Sequence, residues 1–221
     1  MIPAGNAGLN SRRVRERMVE RVRELGVRDA RVLSALAEIE RHRFVDPALA
    51  SRAYDDTALP IGAGQTISQP YVVARTAELV LQSVADPARA RILEVGTGSG
   101  YAAAVLARLF GEVISIERVR SLQEGARAAL RPLRIANLRL VSGDGAMGYA
   151  AGAPFDAIVA AAAGDEVPPS WGEQLAPAGI IVAPIGRDRQ LLTVVARDAR
   201  GAWLQRAIEE VRFVPLKRGT E

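Results

Sequence analysis

The chain has 221 residues, 49% of them hydrophobic, no cysteine and a formal net charge of +4, which is apolar material for one sizeable core and excludes disulfides and thiolate metal sites. No run approaches the roughly 20 apolar residues of a membrane-spanning helix; the longest, AIVAAAAG from Ala157, is mostly alanine. The segment MIPAGNAGLNSRR has no apolar signal-peptide core, so the expectation is a cytoplasmic protein without membrane contact, built as one α/β domain with an appendage.

Val14, Met18, Val22 and Leu25 recur at helical spacing and predict an amphipathic helix that ends near Gly26. Asp29 is placed to N-cap a second helix carrying Val32, Leu33, Leu36 and Ile39. Together they form an N-terminal cap, assigned to residues 11–60, behind a flexible tail at residues 1–10. Eight arginines fall between Arg12 and Arg31, interleaved with Glu16, Glu20, Glu24 and Asp29. The spacing pairs Arg12 with Glu16 and Glu24 with Arg28, a solvated helix face. A nucleic-acid surface is the alternative, but the stretch lacks the interleaved aromatics that stacking on RNA needs. An irregular segment with Asp46-Pro47 and Leu59-Pro60 follows, then the polar loop GAGQTISQP from Gly62, then a helix over residues 71–83.

From Arg91 the pattern becomes alternating strands and helices. RILEV, EVISIE, NLRLVS, DAIVAAA and AGIIVAPI lack the polar–apolar alternation of a half-exposed sheet, so they predict five buried parallel strands. Helices such as those over 100–110 and 119–131 are expected to cover both faces of the sheet, and RQLLTVVARD with WLQRAIEEVRFVPL predicts a C-terminal antiparallel hairpin at its edge. The expected fold is α/β, a doubly wound Rossmann-like sheet, with residues 61–221 as its core.

In such sheets ligands bind beyond the carboxyl ends of the strands. The first of these loops is EVGTGSGY, where Gly96, Thr97, Gly98 and Ser99 offer main-chain amides and hydroxyls on a tight turn. A dinucleotide fingerprint needs its third glycine where Tyr101 stands, so the turn does not fit a pyrophosphate. Glu117 ends the second strand, where a carboxylate accepts from both hydroxyls of a ribose; a helix N-terminal acid is the alternative reading. Asp144 and Gly145 follow the third strand, where they can read an adenine edge, or form an ordinary Asp-Gly turn. Three such loops together match the pattern of S-adenosylmethionine-dependent methyltransferases.

AYDDTALPIGAGQTISQPYVVA, followed by EVGTGSGY, closely resembles the signature of the protein-L-isoaspartate O-methyltransferase family. The likeness continues through RVLSALAEIERHRFV in the cap, ISIERVRSLQ, GDG and VRFVPL. AAAGDEVPPSW from Ala161 departs from the family's usual run, at Gly164 and Asp165. The resemblance implies a methyl donor, S-adenosylmethionine, with S-adenosylhomocysteine as product, and a substrate, the free α-carboxylate of L-isoaspartyl residues in damaged proteins. It also implies repair through a succinimide; a monomer with no nucleic-acid partner is the accompanying expectation. Ser68 is the position to which the family's catalytic role carries over. Gln65, Thr66, Ile67 and Gln69 carry over as substrate contacts in the loop 62–70, and Val211, Arg212, Phe213 and Val214 as the strand that binds the substrate backbone edge to edge.

That loop has no acid, base, cysteine or histidine, and the chemistry asks for none: the substrate carboxylate, with a pKa of about 3.5, is already ionised at neutral pH. The loop's task is to hold the reacting groups in line. The only histidine, His42, lies in the cap with no acid partner in view, so Ser68 is read as a positioner and not a nucleophile, and no metal site is expected. An RNA or small-molecule methyltransferase with the same donor loops, and a non-catalytic binding module, are the rival readings.

Overall fold

The computed structural model describes residues 12–198 and 200–221; the expected tail at residues 1–10 lies outside them. Helices α1 (Arg12–Glu24) and α2 (Ala30–Glu38) open the chain, and the Asp29 carboxylate caps α2 by accepting from Arg31 N–H. Of the two helical ion pairs expected, Arg12 and Glu16 meet at 2.8 Å, both exposed. Glu24 instead pairs with Arg21, because α1 stops before Arg28, whose guanidinium turns back to the carbonyl of Arg23.

The loop expected between the cap and the next helix is a small antiparallel ribbon, β1 (Leu59–Gly62) and β2 (Gln65–Ile67). Strands this short carry too few residues for alternation to show in sequence. Helix α3 (Pro70–Ser83) follows, with proline at its first position, where no amide hydrogen is needed.

The main sheet contains β3 (Arg91–Val95), β4 (Glu112–Glu117), β5 (Leu138–Ser142), β6 (Phe155–Ala160), β7 (Leu175–Ile185), β8 (Gln190–Arg197) and β9 (Trp203–Val211). Their spatial order is β5-β4-β3-β6-β7-β8-β9. The first five run parallel and the last two antiparallel, as the patterning predicts. Helices α4 (Tyr101–Ala107), α5 (Arg120–Leu130) and α6 (Pro169–Glu173) complete the fold.

Alternate strand residues feed two cores. Ile92, Val113, Val159 and Val182 face one side, together with buried residues of α1 to α5. Leu93, Ile114, Ile158 and Ile181 face the other, which Trp171 of α6 closes. Helices α4 and α5, expected to cover both faces, therefore both pack on the first, and the second has one five-residue helix and irregular segments. Ala103, Ala104 and Ala107 bring α4 close to the sheet, all of them buried. No helix among the described residues is long and apolar enough to cross a membrane.

Candidate active site

The carboxyl ends of β3, β4 and β6 meet the β1–β2 ribbon around an open cavity of about 820 Å³. Its floor is the turn after β3. There Gly96, Gly98 and Gly100 all hold positive φ, at +94°, +53° and +89°, a conformation that costs a Cβ-bearing residue free energy. At Gly98 a Cβ would also come within 3.2 Å of Ile61 Cδ1 on the ribbon above. Three glycines are thus required by backbone conformation, and Gly100 also by its packing against Leu130 and Ala126. The Ser99 hydroxyl, on the cavity wall, makes no hydrogen bond to the described residues.

Glu117 is 5% exposed and lines the same cavity. One carboxylate oxygen accepts from Gly98 N–H at 2.8 Å, the other from Arg118 and Val119 N–H at 2.9 Å each. The carboxylate therefore ties the glycine turn to the two residues just before α5 and does not cap the helix itself. A carboxylate has about four acceptor sites, so one is left for a hydroxyl from a ligand.

Asp144 is turned away from the cavity, whose wall carries Gly145 in its place. The Asp144 carboxylate accepts from Ala146 N–H at 2.9 Å and from Gly219 N–H at 2.7 Å. The second contact belongs to the C-terminal segment, which folds back across the sheet end. Glu221 exchanges main-chain hydrogen bonds with Arg118 and Arg120, the Arg118 guanidinium holds the Gly219 carbonyl, and Pro215, Leu216 and Lys217 stand on the cavity wall. Sequence reasoning missed this segment because nothing local marks a chain end as part of a site.

On the ribbon side Gln65, Thr66, Ile67 and Ser68 all line the cavity. The Gln65 amide donates to the Ala63 carbonyl. Gln69 is off the wall, its amide donating to the Asp56 carbonyl at 3.2 Å. The Ser68 hydroxyl has no hydrogen-bond partner among the described residues, and Ser68 also borders a second, smaller cavity of about 360 Å³ with Phe213 and Glu94.

Glu94 is the residue that sequence reasoning passed over. It is 2% exposed, and its carboxyl meets the Ser115 hydroxyl, which in turn lies 2.6 Å from that of Thr97. Burial, only partly offset by the Ser115 hydrogen bond, pushes its pKa up to about 8. The signal was an acid in the otherwise buried run ILEV.

The strand expected over 211–214 stops at its first residue: Val211 ends β9 opposite Gln190, and residues 212–214 lie beyond it. Beyond it the Gln190 side-chain amide pairs with both main-chain groups of Phe213, at 2.6 and 3.1 Å, and Val214 lines the larger cavity through its own position beside Pro215. Arg212 borders neither cavity. The departure at Gly164 and Asp165 also stays off both walls, with Asp165 paired to Arg187 at the surface. His42 Nδ1 lies 2.6 Å from the Tyr54 hydroxyl inside the cap, where burial lowers its pKa.

Residues 12–221 match the family model described as protein-L-isoaspartate(D-aspartate) O-methyltransferase. The chain belongs to this family. A protein-L-isoaspartate O-methyltransferase of Methylibium petroleiphilum is 54% identical over 99% of the chain and 82% of its own length. One from Bordetella parapertussis is 53% identical over 100% and 84%. Among solved structures, a protein-L-isoaspartate O-methyltransferase with 30% identity gives a TM-score of 0.79 over 91% of this chain and 65% of its own. The fold also matches a Plasmodium falciparum structure described with S-adenosyl-L-homocysteine, at 24% identity and a TM-score of 0.80 over 92% and 98%.

Proposed function

We infer that the protein transfers a methyl group from S-adenosylmethionine to the free α-carboxylate of L-isoaspartyl residues in damaged proteins and peptides. The observation that carries this beyond family membership is the unpartnered Ser68 hydroxyl at the junction of the two cavities. The larger cavity suits the donor, because Gly96 and Gly98 bring main chain to its wall, the Ser99 hydroxyl there has no partner among the described residues and Glu117 keeps an open acceptor site. Gly96, Thr97, Gly98 and Ser99 would hold the amino-acid end, Glu117 the ribose, and Gly145 the adenine edge. Asp144 would shape that edge through the Ala146 and Gly219 amides that it already holds.

When bound, the donor supplies an electrophilic methyl group on a sulfonium whose leaving group is a neutral thioether. The substrate carboxylate is ionised, so the protein has no proton to abstract. Ser68 donates a hydrogen bond that aims one carboxylate oxygen, Thr66 and Ile67 border its approach, and the ribbon screens the mouth from water. Gln65 and Gln69 act by keeping the ribbon and the start of α3 in place. The Gln190 amide holds the main chain at Phe213, just past the end of β9, which supports this segment as the place where a substrate backbone binds edge to edge. The methyl ester then loses methanol as the following backbone nitrogen closes a succinimide, and hydrolysis returns part of it to normal aspartate.

We propose a monomer as the working form, to be checked by its mass in solution, and a methyl donor made inside cells supports a cytoplasmic enzyme. Incubation of an isoaspartyl peptide with protein and S-adenosylmethionine should convert it over successive cycles to the aspartyl form, followed by chromatography. Methylation of RNA with no change in the peptide would refute the reading.

A further inference from the structure

Arg41 carries the cap's buried charge up to the back of Ser68. Its side chain is 0% exposed, yet no carboxylate among the described residues lies within ion-pair distance. Instead the guanidinium donates to three carbonyls from three places in the chain. These are Ala53, Thr57 at 3.0 Å and Ser68 at 3.0 Å. Its flat face lies over Tyr101, 5.7 Å from the ring centroid, and Tyr101 is on the wall of the larger cavity. Burial lowers the Arg41 pKa, partly countered by Tyr101, Asp56 and Asp55.

A buried charge without a counter-charge destabilises a fold unless other bonds compensate, so its position calls for a reason. Only a guanidinium has planar donors spread widely enough to serve three carbonyls at once; an ammonium is a point donor. The same segment grips the chain on the far side of Ser68, since the Asp56 carboxylate accepts from Tyr71 N–H at 2.8 Å and the Asp56 carbonyl from Gln69. On the near side Ile67 pairs with Leu59. Ser68 therefore sits between a strand end and a helix start, with its carbonyl pinned. Pinning the carbonyl fixes the ψ angle of Ser68 and with it the direction of the Cα–Cβ bond that carries the hydroxyl.

We propose that Arg41 is a positioning residue for methyl transfer, acting through the Ser68 carbonyl to aim the Ser68 hydroxyl at the substrate carboxylate. The proposal rests on the reading of Ser68 given above. Because Arg41 acts through Ser68, its loss matters only while the hydroxyl is present.

The test is a double-mutant cycle on the full chain with Arg41→Lys, Ser68→Ala and the double variant, reading kcat on an isoaspartyl peptide and S-adenosylhomocysteine affinity by calorimetry. Arg41→Lys should lower kcat at least tenfold with product affinity within threefold, and should lower it less than threefold further when Ser68 is already alanine. Val32→Ala, which loosens the cap without touching either group, should lower Tm and leave kcat unchanged. If Arg41→Lys does not fold, Arg41→Gln, which keeps an amide donor, is read in the same cycle. Effects of Arg41 and Ser68 that multiply, or an Arg41 variant with kcat within threefold of wild type, would overturn the proposal alone. A Ser68→Ala variant with undiminished kcat would overturn the reading of Ser68 and the proposal with it.

Discussion

Ser68 offers a hydrogen bond and nothing more, since among the described residues no base is bonded to its hydroxyl: His42 is engaged by Tyr54 in the cap. Ser68→Ala should therefore slow methyl transfer by at most about 100- to 1000-fold, the loss typical of one preorganised donor. A complete loss in a folded variant, or a methylated serine seen by mass spectrometry, would contradict the positioning role. Glu94 bears on stability. Its carboxyl is raised from 4.5 to about 8, so the folded protein keeps a proton that the unfolded chain releases. Its contribution is fully present below about pH 4.5 and declines as pH rises through 8, by up to about 1.4 kcal/mol per unit. The Tm of the ligand-free protein should fall between pH 5 and 8, and Glu94→Gln, which cannot ionise, should lose that part of the decline. Parallel Tm curves for the two proteins would show that Glu94 is ionised throughout.

At the scale of elements, the site is the meeting of the glycine turn with the ribbon above it, where Ile61 closes over Gly98. Gly98→Val introduces a branched side chain at a φ of +53° and against Ile61, so affinity for S-adenosylhomocysteine should be abolished in calorimetry while the fold survives. Near-normal affinity would remove the turn from the donor site. The turn, Glu117 and the Asp144–Gly145 loop were legible in sequence because each follows a run of buried strand residues and breaks it with glycine or an acid. What they bond to was not. Asp144 is held by Gly219, 75 residues away, and no local pattern reports a contact of that span. The ribbon was equally hidden, for its strands of four and three residues read only as a polar loop.

Across the whole molecule, cap and core share one hydrophobic cluster in which Val22, Val32 and Leu36 join Ile92 and Val113. The division expected at residue 60 is thus best proposed as a division of roles within one cooperative unit. Unfolding followed by circular dichroism and by the fluorescence of Trp171, on the opposite face of the sheet, should give one coincident transition; two separated transitions would show that the cap folds by itself. The five parallel strands and the antiparallel end were readable from patterning, because parallel strands buried on both faces lose their alternation; the order of the strands in the sheet was not. The fold-back of residues 215–221 onto the sheet end was not, being set by Arg118 and Asp144 and by no periodicity of its own. The central claim is that this site reads an isoaspartyl carboxylate, and a comparison of kcat/KM on two peptides identical except for isoaspartate or aspartate at one position tests it most directly. The account predicts methyl transfer to the isoaspartyl peptide and none above background to its aspartyl twin; equal rates on both, or transfer to neither by a protein that binds S-adenosylhomocysteine, would contradict it.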